Sequence, residues 1–253
     1  MTSIQNPKSK IQNSPGRFII VEGIDGTGKS TLVKLVAESL RAGGRDVLLT
    51  HEPTDLPSGK LILERLSTRG FKASPWEWLG MFVADRRANI DTIVKPALKR
   101  GQDVIQDRSL YSTLVYQGAM GVPEDEILKR HTGWHPTPDL LVILDIAPRF
   151  GLARTRKRSM GAGQRWVQQP GQKYMFADGD APQSTEKLHF LQEIRKRYRR
   201  IRGDFVLHLP VRKKVKGEWV DRTSAELRDE VLRELALRSN PREYIDEQRY
   251  TAR

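Results

Sequence analysis

Gly23-Ile24-Asp25-Gly26-Thr27-Gly28-Lys29-Ser30 fits the pattern G-x-x-x-x-G-K-[ST] at every fixed position. The stretch before it, Arg17-Phe18-Ile19-Ile20-Val21-Glu22, is a short β-branched, apolar run of the kind that makes a buried strand. After it, Leu32, Leu35, Val36 and Leu40 recur at helical spacing. The loop therefore sits between a strand and a helix N-terminus. There the glycines let successive backbone N–H groups curl around an anion, and the helix start adds partial positive charge. Residues Gly23, Ile24, Asp25, Gly26, Thr27, Gly28, Lys29, Ser30 and Thr31 are the expected cradle for a nucleoside triphosphate. Lys29 would reach the terminal phosphates, and the Ser30 hydroxyl would complete a Mg²⁺ shell.

Outward from this loop, strand-like and helix-like runs alternate, which predicts an α/β fold of three layers. The expectation is a P-loop NTPase fold: a central parallel sheet of about five strands, helices on both faces and a lid segment. Asp46–Thr50 reads as the second strand, stopped off from the first helix by Gly43-Gly44. A polar loop over His51–Asp55 and a short helix around Gly59–Leu66 follow. Ser74-Pro75-Trp76-Glu77 is a strong helix start, and its helix is expected to run towards Lys95, with Pro96 kinking or ending it. Asp103–Asp107 and Asp139–Asp145 are the next strands, the latter an unbroken apolar run between two aspartates. Helices are expected over Tyr111–Ala119, Pro123–Arg130, Ala147–Arg158 and Ser184–Arg202. Phe205–Leu209 and Glu218–Asp221 compete for the last strand or form a hairpin, and Thr223 caps a final helix to about Arg238. One domain is expected over 17–238, with a lid at about 154–183, a disordered tail at 1–16 and a charged tail at 239–253.

The chain has 253 residues and no Cys, which removes disulfides, thiolate zinc sites and Cys nucleophiles and fits a reducing, cytoplasmic setting. No apolar run approaches membrane-spanning length, and the first residues lack the apolar stretch of a secretory signal. Net charge is +13, concentrated in Arg154–Arg158, Arg195–Arg202 and Arg212–Lys216. Such charge draws polyanions, nucleic acid among them, but solvated helix faces and the need to hold substrate phosphates account for it as well.

In open parallel sheets ligands bind outside the carboxyl ends of the strands, which directs attention to Glu22–Ser30, His51–Asp55, Asp107–Arg108 and Asp145. Asp107 is placed to hold Mg²⁺ through water; the alternative is a cap for the helix after Ser109. Arg108 beside it can pair with a substrate phosphate or with Asp107. Trp78, Phe82 and Arg86, at i, i+4 and i+8, lie close to one helix face. Stacking of a base and capture of its phosphate would use that face; plain core packing is the competing reading.

Taken together, these segments resemble the thymidylate kinase family. The resemblance is carried by Phe18 to Thr31, by Phe82-Val-Ala-Asp-Arg86, by Asp107-Arg108 with Tyr116-Gln117-Gly118, and by Pro138-Asp139-Leu140 with Asp145. The P-loop alone is unspecific, but the set in this order, over most of the chain, is specific. The resemblance implies transfer of the ATP γ-phosphate to dTMP. Asp25 would bind the 3′-hydroxyl, Phe82 would stack on thymine, and Arg86 and Arg108 would grip the acceptor phosphate. Tyr116 would crowd the 2′ position, Gln117 would lie near the base and Asp107 would serve the metal. A homodimer is implied by the family alone.

Four departures stand against that pattern. His51-Glu52-Pro53 replaces an Arg-x-Pro whose arginine touches phosphate, so His51 is a weakened or pH-dependent contact. Ser109 follows Asp-Arg where Tyr or His is usual. The lid motif is reduced to Gln164-Arg165-Trp166-Val167 and followed by what looks like an insertion. Gly26 stands where some members carry a catalytic arginine, so the lid must supply that cation, with Arg154, Arg158 and Arg165 as candidates. The rival readings are a same-fold kinase for another nucleotide or nucleoside, and a P-loop protein that binds nucleic acid without kinase activity.

Overall fold

β1 (Phe18–Glu22) is buried at every residue and forms the centre of the protein. It can be so because neighbours cover both its edges and helices cover both its faces, the condition under which a strand is apolar throughout. The computed structural model describes residues 16–68, 71–161 and 184–238. β1 pairs in parallel with β3 (Asp103–Asp107) on one side and β4 (Leu140–Asp145) on the other. β2 (Val47–His51) and β5 (Val206–Pro210) complete a five-stranded parallel sheet in the order β2-β3-β1-β4-β5. The chain leaves β1 for β2 on one side and later crosses to β4 on the other. The switch between those directions puts a crevice at the carboxyl ends of β1 and β3.

α1 (Lys29–Ala42) runs from the loop after β1 and packs on α9 (Ser224–Leu237), with Leu32, Val33, Val36 and Leu40 turned to the core. Gly43 caps it and Gly44 follows at φ 82°, as the Gly-Gly pair requires. α2 (Pro57–Ser67) packs on α3 (Pro75–Asn89), whose N-terminus carries the full capping box: Ser74 Oγ accepts from Glu77 N, and Glu77 accepts from Ser74 N. A second box, Thr223 with Glu226, starts α9.

Of the two effects expected at Pro96, kinking or ending the helix, the ending is corrected. The helix neither ends nor breaks there; it widens into a π-turn over Ile90–Val94 and continues as α4 (Lys95–Lys99). In the wider turn Lys95 N–H reaches back to Ile90 O, so the ring of Pro96 follows a segment that has already left the α pattern. At the other end of the chain, β5 takes the sheet edge. Glu218–Asp221 (β7) instead pairs with Arg212–Val215 (β6) in a separate antiparallel hairpin. α5 (Leu110–Ala119) and α6 (Glu124–Lys129) follow β3. α7 (Pro148–Gly161) follows β4, so the first part of the expected lid is helical, and α8 (Ser184–Tyr198) returns to the sheet.

Away from the crevice, at the start of β3, the buried Asp103 carboxylate collects the guanidinium groups of Arg17 (2.7 Å) and Arg45 (2.6 Å) and the Arg17 backbone N–H (2.8 Å). Burial alone would raise this carboxyl, but the hydrogen bonds from Arg45 and Arg17 outweigh it and hold it below the ordinary range. Its stabilising effect is therefore present above the ordinary carboxylate pKa and fades as pH falls through the lowered one. Asp103→Ala should cost about 2–4 kcal/mol at pH 7, because it strands two partly covered cations. Chemical denaturation of both proteins at pH 7 and near pH 3 checks this: the gap should narrow in acid, and a gap independent of pH would contradict the assignment.

Candidate active site

The loop after β1 is held by its own side chains. Thr27 Oγ1 donates to Ile24 O at 2.9 Å, and buried Lys29 donates Nζ to Gly23 O (3.0 Å) and Ile24 O (3.2 Å). Burial first, and then the nearby Arg108 cation, lowers the Lys29 amine to about 8, against the pull of Asp25 and Asp107. The ammonium thus rests on carbonyls at the mouth of the loop, where an anion would restore its full charge. Thr31 is exposed one residue beyond Ser30. Gly26 has φ 81°, and a Cβ built there would lie 2.3 Å from Gly151 O in α7. The loop and the first turns of α7 are in backbone contact, so no side chain fits at position 26 with α7 where it is.

Because β1 and β3 are neighbours, with Val21 opposite Asp107, Asp107 emerges beside the loop. Ser30 Oγ donates to Asp107 Oδ2 at 2.9 Å, and the buried Oδ1 has no hydrogen-bond partner among the described residues. A hydroxyl and a half-satisfied carboxylate side by side are the donor set for a hard divalent cation that keeps most of its waters. Among the described residues no group of three or more His, Asp or Glu side chains could hold a metal by itself. Asp107 does not cap α5. That task falls to Glu22, whose buried carboxylate accepts from Ser109 N (2.8 Å), Ser112 N (3.0 Å), Ser112 Oγ (2.7 Å) and Tyr198 OH (2.8 Å).

Arg108 follows Asp107 with φ 67°, a left-handed conformation uncommon outside glycine. Its N–H bonds to Val21 O and its carbonyl accepts from Gln106 Nε2, which holds the turn. The result aims the guanidinium back across the crevice: Nη2 donates to Asp25 Oδ1 at 2.6 Å and Nη1 to Ser112 Oγ at 3.2 Å, with the Tyr116 ring 5.8 Å away. Ser109 is fully buried, its hydroxyl 3.0 Å from the His135 ring.

A pocket opens beside this turn. Asp25, Phe82, Arg86, Arg108, Tyr116 and Gln117 all line it, so the acceptor residues expected from the sequence converge, with one exception. His51 is not among the lining residues; its ring is held by Pro53 O at 2.7 Å and faces Asp55 at 3.4 Å. The neighbouring Glu52, which the sequence reading passed over, lines the pocket instead. Glu52 is buried and takes Arg86 Nε (2.8 Å) and Nη2 (2.7 Å) on one oxygen and Gln106 Nε2 (2.7 Å) on the other. Burial pushes its carboxyl up to about 7 against the pull of Arg86. Arg86 also donates to Thr113 Oγ1 (3.0 Å) and meets His131 Nε2 at 2.8 Å. Burial and the Arg86 charge push His131 down to about 3, so it is neutral; its Nδ1–H donates to Ile127 O (2.6 Å), leaving Nε2 to accept from Arg86. Trp78 takes the competing reading: it packs with Phe82, Ile62 and Leu66 in a small separate core, and only Phe82 of that pair reaches the pocket.

On the donor side Arg154 bonds Gly26 O at 3.2 Å and pairs with Asp221 of β7 at 2.7 Å. The side chain of Arg158, on α7, and all of Arg165 lie outside the described residues. Asp145, at the end of β4, is bound by Arg195 through both oxygens.

The family model for thymidylate kinase matches residues 21–215, a span that holds both the loop and the pocket. The chain belongs to the thymidylate kinase family. Thymidylate kinase from Desulfotalea psychrophila is 42% identical over 144 residues, 57% of this chain and 70% of that relative. The enzyme from Xanthomonas euvesicatoria pv. vesicatoria is 43% identical over 149 residues, 58% of this chain and 65% of that protein. The thymidylate kinase structure from Candida albicans covers 92% of this chain and 99% of its own at a TM-score of 0.65; at 20% identity it shows a common fold. Family membership fits the five-stranded parallel sheet with its surrounding helices. No described helix is long and apolar enough to cross a membrane.

Two outcomes follow from the charges of this site. ATP should bind with net proton uptake near pH 8 and without it near pH 6, because the triphosphate returns Lys29 to the ammonium form. Calorimetry in buffers of different ionisation enthalpy measures this, and equal uptake at both pH values would contradict the burial of Lys29. Glu52→Gln should raise the KM for the acceptor about tenfold and leave that for ATP unchanged, since it frees Arg86 from its carboxylate; a loss shared equally by both substrates would mean general misfolding.

Proposed function

We propose that the chain transfers the γ-phosphoryl group of ATP to dTMP, giving ADP and dTDP. The observation that carries this reading is the 2.6 Å contact of Arg108 with Asp25. It joins the triphosphate loop to the pocket lined by Phe82, Arg86 and Tyr116, so donor and acceptor sites share one wall. The naming of relatives more than 40% identical as thymidylate kinases supports the choice of acceptor.

An acceptor phosphate oxygen is already ionised at pH 7, so the attack on the γ-phosphorus requires no strong general base. As the new P–O bond forms, the bond to the β-phosphate oxygen breaks and ADP leaves. The obstacle is electrostatic: two polyanions must approach in line. Lys29 would hold the donor's terminal phosphates and Arg108 the acceptor phosphate. Ser30 and Asp107 would hold Mg²⁺, the carboxylate through water; bound there, the ion neutralises charge on the β- and γ-phosphates. Asp25 would move from Arg108 to the sugar 3′-hydroxyl as the phosphate arrives. Tyr116 and Gln117 would bound the sugar and base.

Arg86 suits a different task from a phosphate grip. A guanidinium has five N–H groups, and Glu52, Thr113 and His131 engage all but one of those on Nη1. With its charge balanced by Glu52, it is left with one directed donor, fit for a base carbonyl beside the ring of Phe82. Arg154, already against the loop, is the candidate for the cation that Gly26 withholds.

ADP release coupled to a panel of nucleoside monophosphates tests the proposal. Turnover should be highest with dTMP. Arg108→Met should lower kcat/KM at least about a hundredfold, the loss of a charge-assisted contact to phosphate. Phe82→Ala should act mainly on the acceptor KM, by about tenfold. No stimulation by dTMP with ATP binding intact would overturn the reading.

A further inference from the structure

A second concavity lies between the start of α7 and one side of α8. It has a volume of about 650 Å³, and its walls carry Arg149, Arg195, Lys196, Arg199, Arg200 and Arg202. None of these residues lines the acceptor pocket. The acidic group at this wall is Asp145, and Arg195 occupies both its oxygens at 2.5 and 2.9 Å, with exposed Arg199 at 3.9 Å. Among the described residues Arg149, Lys196 and Arg200 have no acidic partner. Arg202 donates to backbone carbonyls of Arg199 and Ile201.

The same helix treats Arg197 differently. It turns from the groove and pairs with Glu193 and Glu124, both at 2.9 Å. Arg197 is thus compensated away from the groove, whereas Lys196 of α8 and Arg200 just beyond it line the groove without an acidic partner among the described residues. Six cations against one engaged carboxylate repel one another and focus a positive field in a walled groove, a field that an anion relieves. Five of the six are guanidinium groups, whose planar forks match phosphate oxygens.

The form of the groove selects among anions. Its cations come from the start of α7, from α8 and from the segment Arg199–Arg202 after it, more than one phosphate group can engage. No aromatic ring lines it, so it offers no platform for stacking bases. None of the exposed large apolar side chains that a lipid surface would engage, Trp76, Trp219 and Leu237 among them, lines this groove. We propose that the α7–α8 groove binds the phosphodiester backbone of single-stranded nucleic acid without regard to sequence, at a site separate from the nucleotide pockets.

The test is fluorescence anisotropy of the full chain with a labelled oligothymidylate of about 20 nucleotides. Three to four phosphates neutralised in the groove give a slope of log K against log salt of about −2 to −3, so affinity should fall roughly 20–50-fold between about 50 and about 200 mM salt. Lys196→Glu with Arg200→Glu should weaken binding at least about tenfold and flatten that slope, with phosphoryl transfer unchanged. The same charge change on the hairpin, Lys214→Glu with Lys216→Glu, should weaken binding by no more than about twofold, the share due to net charge. The proposal falls if the wild-type chain does not bind at low salt or if both double variants bind alike, which would place the contact elsewhere. It falls also if inorganic phosphate displaces the oligonucleotide at equal phosphate concentration, or if vesicles of anionic lipid bind and the oligonucleotide does not. Neither result depends on which monophosphate the kinase site accepts.

Discussion

The parallel pairing of β1 with β3 fixes where Asp107 and Arg108 meet the loop of the candidate site. With Val21 set opposite Asp107, the carboxylate that ends β3 comes to the hydroxyl that opens α1, although 77 residues separate Ser30 from Asp107. One more backbone bond, Arg108 N to Val21 O, carries the pairing past the strand end. The left-handed turn at Arg108 then spends the last degree of freedom on aiming the guanidinium at Asp25. Both pockets thus descend from one register. A slip of one residue would turn Asp107 and Arg108 to the opposite faces of the sheet.

Within that frame, each cation of the candidate site rests on an oxygen acceptor of the protein. Arg108 rests on Asp25, Lys29 on loop carbonyls, and Arg86 on Glu52. The first two partners are exchangeable, because a phosphate is a better acceptor than either. Arg86 differs: it is buried, its partner is buried, and neutral His131 closes the far side. Breaking that pair would strand a charge in the interior, so Arg86 works as fixed architecture with one donor exposed.

Local signals were the legible part of the sequence. The loop, the two capping boxes, Gly43-Gly44 and the unbroken apolar run of β4 act within a few residues, and each fold element they announce is present. Phe82, Arg86 and Tyr116 could be placed by spacing and family likeness. Glu22 and Glu52 could not be assigned a role, because it comes from partners far away: Tyr198 meets Glu22 across 176 residues, and Arg86 meets Glu52 across 34. His51 shows the reverse error. A position matched by pattern had its side chain turned aside by the carbonyl of Pro53, two residues on. Pro96 was read through its average effect, and the π-turn before it changed the local rule.

The contact of Gly26 with Gly151 joins two segments that a sequence presents as unrelated. An ancestor or descendant of this chain could gain a side chain at position 26 only after the helix starting at Pro148 had withdrawn. Once a side chain stood there, that helix could not return. The two positions therefore form a ratchet in sequence space. Which of the two segments can carry bulk at this contact is set by backbone geometry before any particular side chain is considered.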